Sequence, residues 1–168
     1  SLHYALPIFE GPSWDPFTGI LYFVSGNNVN RLTTAGKVEA FRTDAPGANC
    51  TLVDPQGRVL ACESGGRRVT RTEKNGTLTV LADRYEGKRL NSPNDLALDS
   101  RGRIYFTDPR YGSMDNIEIK DEAGKPIEGV YRIDAPGKIV RILTHEVERP
   151  NGILVSPDDR YLYVADNL

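Results

Sequence analysis

No apolar run in this 168-residue chain approaches the ~20 residues that a membrane-crossing helix needs. No window of about 11 residues or more carries the three-to-four periodicity of an amphipathic helix. There is no excess of positive charge: 21 Lys and Arg stand against 23 Asp and Glu, for a net charge of −2. That balance gives no basic field to hold nucleic acid. The two cysteines, Cys50 and Cys62, are too few for a disulfide framework or a zinc site. They fall on the two arms of one expected hairpin, where a disulfide is geometrically conceivable and two reduced apolar fillers are the plainer reading. The two histidines lack any catalytic setting: His3 is in the terminal segment and His145 in a connection between repeats. No Gly-x-Ser-x-Gly elbow and no phosphate-binding glycine loop is present. Residues 1–9 lack the basic start and apolar core of a signal peptide. The expectation is a soluble protein free of nucleic-acid and membrane partners, with cytoplasm and periplasm both open.

Turn signals, by contrast, are abundant and evenly spread. Asn27-Asn28, Ala35-Gly36, Pro55-Gln56-Gly57, Gly65-Gly66, Asn75-Gly76, Arg101-Gly102, Pro136-Gly137 and Pro157-Asp158 punctuate short β-rich runs. The runs repeat in fours. The expected strands are 11–14, 20–25, 29–33 and 38–42, then 51–53, 59–63, 68–73 and 78–82. A third unit follows at 96–98, 104–108, 129–134 and 139–143, and a fourth begins at 152–155 and 161–166. The second strands start at Ile20, Val59, Ile104 and Tyr161, spacings of 39, 45 and 57 residues. Four strands in roughly 40 residues or more is the period of a propeller blade. The expected fold is all-β, a six-bladed β-propeller of which this chain supplies about three and a half blades. The blades are 10–42, 49–82, 94–143 and an incomplete 151–168, forming the N-terminal part of one domain. The remaining blades would be required to close the ring; a closed four-bladed assembly is the lesser alternative. The stretched spacing reflects a polar insertion at 109–128, containing Tyr111, Gly112, Met114, Asp115 and Asn116. Such an insertion maps to a loop on one face of the ring, often the binding face.

Aligning the repeats on their turns exposes a column. The turns open at Asp15, Asp54, Asp99 and Ser156, and five places earlier stand Glu10, Asn49, Asn94 and Asn151. The first strand of a blade lines the central channel, so equivalent positions in successive blades converge near the axis. One carboxylate and three amides there make an oxygen cage. A hard cation such as Ca²⁺ takes six to eight oxygens and tolerates amide carbonyls and water. Softer metals call for His or Cys, absent from the column. Asn94 and Asn151 both follow proline, where Asn also serves as a turn residue; the shared placement of all four is what favours a site.

Several motifs together resemble the SMP-30/gluconolactonase family. They are Glu10-Gly11-Pro12 with Trp14, Arg67-Arg68-Val69, and Leu90-Asn91-Ser92-Pro93-Asn94-Asp95. Phe106-Thr107-Asp108-Pro109 with Tyr111-Gly112, Arg149-Pro150-Asn151-Gly152 and Tyr163-Val164-Ala165-Asp166 complete the set. The resemblance implies a calcium-dependent propeller that hydrolyses a sugar-acid or similar lactone, with Ca²⁺ as cofactor or another divalent cation in its place. It puts Glu10 and Asn151 on metal ligands, and Asn94 on the position that reaches the metal, its water or the substrate. Asn49 and Asn94 would position substrate or water, and Asp108 and Tyr111 would open the loop bordering the substrate pocket. The cation would polarise the lactone carbonyl while a carboxylate activates water. The family's remaining metal-binding aspartate lies in a later blade, so the general base is expected outside this chain; Asp166 sits at the end of a second strand and does not replace it. Many relatives carry a His where this chain has Ser64. Phosphotriester or other ester hydrolysis is the alternative within enzymes. A non-catalytic propeller scaffold is the alternative outside them.

Overall fold

The computed structural model describes residues 10–111 and 115–167. His3, Gly112 and Met114 lie outside the described residues. Every regular element described is a β-strand. The first sheet holds β1 (Glu10–Asp15), β2 (Ile20–Ser25), β3 (Asn28–Leu32) and β4 (Val38–Arg42); the second holds β5 (Ala48–Val53), β6 (Val59–Glu63), β7 (Arg68–Thr72) and β8 (Leu78–Ala82). A small hairpin of β9 (Arg84–Tyr85) and β10 (Lys88–Arg89) follows. The third sheet holds β11 (Leu96–Leu98), β12 (Ile104–Thr107), β13 (Val130–Ala135) and β14 (Lys138–Leu143). β15 (Pro150–Val155) and β16 (Leu162–Asp166) pair as a fourth, two-stranded sheet. Within each sheet the strands pair antiparallel in sequence order, as the up-and-down blades of a β-propeller do.

The repeated turn residue explains why the blades superpose on one another. Asp54 Oδ1 accepts from the backbone N–H of Gln56 and Arg58, both at 2.9 Å, and Asp99 Oδ1 accepts from Arg101 and Arg103 at 3.0 and 2.9 Å. Arg58 and Arg103 then donate Nε to the second carboxylate oxygen, each at 2.6 Å. Ser156 does the same work with its hydroxyl, accepting from Arg160 and Tyr161 at 3.1 and 2.9 Å. These side chains satisfy the turn backbone locally, which sets the phase of the strand on either side.

Apolar residues between neighbouring sheets form the core. Tyr22, Val24, Val29, Val59 and Ala61 fill the space between the first two blades; Leu60, Cys62, Val69, Leu81, Phe106, Tyr131 and Ile133 fill the next. Phe106 stacks on Tyr131 with centroids 5.3 Å apart. Each such side chain contributes roughly 1.5–3 kcal/mol by leaving water. Arg67 and Arg68 are anchored by the structure around them. Arg68 donates to the buried Glu63 at 2.7 Å; Arg42 of the first blade also donates to Glu63, and Arg67 donates to the Leu90 and Asn116 carbonyls. The 109–128 insertion is likewise more than a polar loop. Ile117, Ile119 and Ile127 are buried, and Ile127 N donates to the Ile119 carbonyl at 3.0 Å. That apolar anchor fixes where the insertion's beginning, at Tyr111, can lie.

Candidate functional site

The four inner strands stand side by side in order, β1 against β5, β5 against β11, and β11 against β15. Their approach is close. Gly11 has φ 52, and a Cβ built on it would sit 2.1 Å from Cys50 Cα, so only glycine fits between these two strands. Thr51 Oγ1 donates to the Gly11 carbonyl at 2.7 Å, and Ser13 Oγ accepts from Val53 N at 2.8 Å. On the other side Thr107 Oγ1 donates to the Asn151 carbonyl at 2.6 Å, and Asp95 Oδ2 accepts from Ile153 N at 3.0 Å.

Three of the four inner strands break their ladders at the column residue. The register shifts between Glu10 and Ser13 in β1, between Ala48 and Cys50 in β5, and between Pro150 and Ile153 in β15. In the third blade Asn94 precedes the strand altogether and is tied by its own N–H to the Thr107 carbonyl at 3.0 Å. A bulge at a sheet end re-aims the side chain it carries. The three bulges, and the place of Asn94 just ahead of β11, bring Glu10, Asn49, Asn94 and Asn151 to one cavity of about 710 Å³, which Tyr111, Asp95, Cys50 and Asn167 also line.

Hydrogen bonds decide which atoms face that space. Asn49 Nδ2 donates to Ser64 Oγ at 2.7 Å, and Ser64 passes its proton to the Pro93 carbonyl at 2.7 Å. Asn151 Nδ2 donates to Tyr111 Oη at 2.5 Å. With their nitrogens engaged, both amides keep their carbonyl oxygens for an occupant. Among the described residues the Asn94 amide and the Glu10 carboxylate have no partner. Asp95 is committed to backbone, accepting from Leu96 N at 2.9 Å as well as from Ile153.

Asp108 does not join this group. It is fully buried beneath the 91–92 segment, where its two oxygens accept from Asn91 N and Ser92 N, both at 2.8 Å. Burial pushes its carboxyl up to about 7, outweighing those two N–H bonds and the charge of Arg67, which pull it down. Its place is to shape the segment that leads into Asn94. Cys50 and Cys62 are free, buried and directly opposed across β5 and β6. Burial and the contact with Cys50 push the Cys62 thiol well up.

The donor set has a chemical signature. No three His, Cys, Asp or Glu side chains among the described residues come together as a metal cluster. The cavity instead gathers amide oxygens around one uncommitted carboxylate, Glu10, since Asp95 is bonded to backbone. An oxygen-rich composition of that kind suits a hard cation better than a soft one. Asn167 carried no signal in the sequence, and Ser64, Asp95 and Thr107 stood there only within motifs, with no role at the cavity.

The SMP-30/Gluconolactonase/LRE-like region model matches residues 8–168. A gluconolactonase of Zymomonas mobilis is 34% identical over 155 residues, covering 92% of this chain and 42% of that protein. A lactonase drp35 of Staphylococcus epidermidis is 29% identical over 123 residues, covering 68% of this chain and 33% of that one. The solved structure of a gluconolactonase from Xanthomonas campestris superposes with a TM-score of 0.80 at 32% identity, covering 96% of this chain and 55% of that one. The chain spans about half the length, or less, of these relatives.

Proposed function

The chain belongs to the SMP-30/gluconolactonase/LRE-like family, and from that premise we propose that its cavity serves the hydrolysis of a sugar-acid or similar lactone with the help of a bound calcium ion. The observation that carries this reading is the convergence of Glu10, Asn49, Asn94 and Asn151 on one cavity of about 710 Å³. Scaffold propellers have no need to bulge three inner strands, and to end a fourth, so that one carboxylate and three amides meet at one point.

Glu10 and the carbonyl oxygen of Asn151 would hold the cation, with Asn94 reaching either it or its water. A cation bound there would supply Lewis-acid polarisation of the lactone carbonyl. The residues of this chain do the rest of the positioning. Asn49, braced by Ser64, presents its carbonyl oxygen to a substrate hydroxyl or to water. Asn94, unbraced, can turn either end of its amide to the ligand. Tyr111 closes one side of the cavity. Asp95 has both oxygens occupied by backbone N–H groups, so the carboxylate that activates water is assigned to a residue beyond these blades.

The test is hydrolysis of glucono-δ-lactone by the full-length protein, with all its blades, with and without a calcium chelator. Chelator-sensitive turnover supports the reading. Calcium binding without turnover on lactones would move the assignment to another ester, to a phosphotriester, or to a structural cation in a scaffold.

A further inference from the structure

Tyr111 shares the cavity wall with Asn151 and Asn167, and its phenol oxygen accepts a hydrogen bond from each. Asn151 Nδ2 lies 2.5 Å away and Asn167 Nδ2 lies 3.1 Å away. A phenol oxygen has two acceptor sites and one proton to give. Both acceptor sites are filled by amides, so the O–H can act only as a donor. Among the described residues no acceptor takes that proton. The ring is 40% exposed, and its face is held by the Arg149 guanidinium, 5.7 Å from the ring centroid. A hydroxyl rotor that would turn freely elsewhere is therefore set as a donor toward the cavity.

We propose that Tyr111 is a catalytic residue, donating its O–H to the lactone carbonyl oxygen as negative charge gathers there, and that Asn167 and Asn151 position it. The inference rests on the lactonase reading above. Water adds to the carbonyl carbon and the C=O π pair moves onto the oxygen, which Tyr111 stabilises by hydrogen bonding without giving up its proton. When that pair re-forms the carbonyl, the ring C–O bond breaks. The departing ring oxygen takes the proton lost by the water and becomes the hydroxyl of the product acid. Donors fixed before the charge develops are the ones that favour the transition state over the substrate.

The experiment measures kcat, KM and calcium affinity for the full-length protein and three variants, with Tm confirming that each is folded. Tyr111→Phe is expected to lower kcat about a hundredfold, the usual effect of removing one oxyanion donor, with KM and calcium affinity near wild type. Asn167→Asp replaces a donor with an acceptor that captures the phenol proton. It is expected to reproduce most of that loss, and to have no further effect when combined with Tyr111→Phe. Wild-type kcat in Tyr111→Phe, or additive losses in the double variant, would overturn the inference and leave the lactonase reading standing. So would a fall in calcium affinity matching the fall in rate, since the phenol would then act only through Asn151. A full-length wild-type protein, with all its blades, that opens no lactone would overturn both.

Discussion

Replacing Gly11 by alanine tests how closely the inner strands approach. Two separate penalties apply. The backbone there has φ 52, in the left-handed region, which costs an L-residue about 1–2 kcal/mol. The new Cβ would also lie 2.1 Å from Cys50 Cα and 2.6 Å from the Asn49 carbonyl oxygen, both backbone atoms that no rotamer change can move. Over-packing of that kind costs about 1–3 kcal/mol more. Gly26 separates the two terms, because it has φ 60 and nothing within 4 Å of its would-be Cβ. Gly26→Ala carries only the backbone penalty. Thermal denaturation of both variants should therefore show Gly11→Ala melting lower than Gly26→Ala by roughly 2–12 °C, at about 2–4 °C per kcal/mol for a chain of this size. The displaced strand carries Glu10, so calcium affinity should fall in Gly11→Ala and hold in Gly26→Ala. Equal melting shifts and equal affinities would mean that β1 and β5 do not meet at this spacing, and the convergence of the column would fall with them.

Thr107→Val keeps the shape of a buried residue and removes its hydroxyl, stranding the Asn151 carbonyl and the Asp95 N–H that it now serves. The expected loss is about 1–3 kcal/mol in a urea melt, together with weaker calcium binding because Asn151 loses its inter-strand tie. Asp108→Asn should change the pH profile of stability. The Asp108 carboxyl titrates near 7 in the folded chain rather than at the ordinary 3.8, because burial outweighs its two N–H bonds and Arg67, with Glu128 adding to the rise. A raised carboxyl stabilises the fold fully below pH about 4 and loses that contribution as pH rises toward 7, a drop on the order of 4 kcal/mol at most. Denaturation midpoints followed across that range should fall in the wild type and run flatter in Asp108→Asn; parallel profiles would show that Asp108 stays ionised in its pocket.

The repeats made the architecture legible before any coordinates. A turn built on Asp54 or Asp99 needs a fixed set of residues around it, so the same letters return each time the chain turns, and strand boundaries follow from them. The column of Glu10, Asn49, Asn94 and Asn151 was legible for the same reason. What the letters do not carry is contact across blades. Ser64 reads as an ordinary turn residue, and only folding brings its hydroxyl between Asn49 and Pro93. Asp108 reads as part of a pocket motif, yet its carboxylate turns inward because the Asn91 and Ser92 N–H groups have no other partner there. The insertion reads as polar; Ile119 and Ile127 become an anchor only against the core shared by the second and third blades. The bulges that aim the column into the cavity leave no mark in composition at all, except that β5 and β15 begin earlier than the pattern of β-formers suggests.

The most direct test is calorimetric titration of calcium into the wild-type chain and into Glu10→Gln and Asn151→Ala. The expected result is one saturable site in the wild type, weakened at least about tenfold in both variants, since each removes an oxygen or its charge from the same cage. An undiminished site in both variants, or no site in the wild type, would contradict the assignment of the inner-strand column as the cation centre.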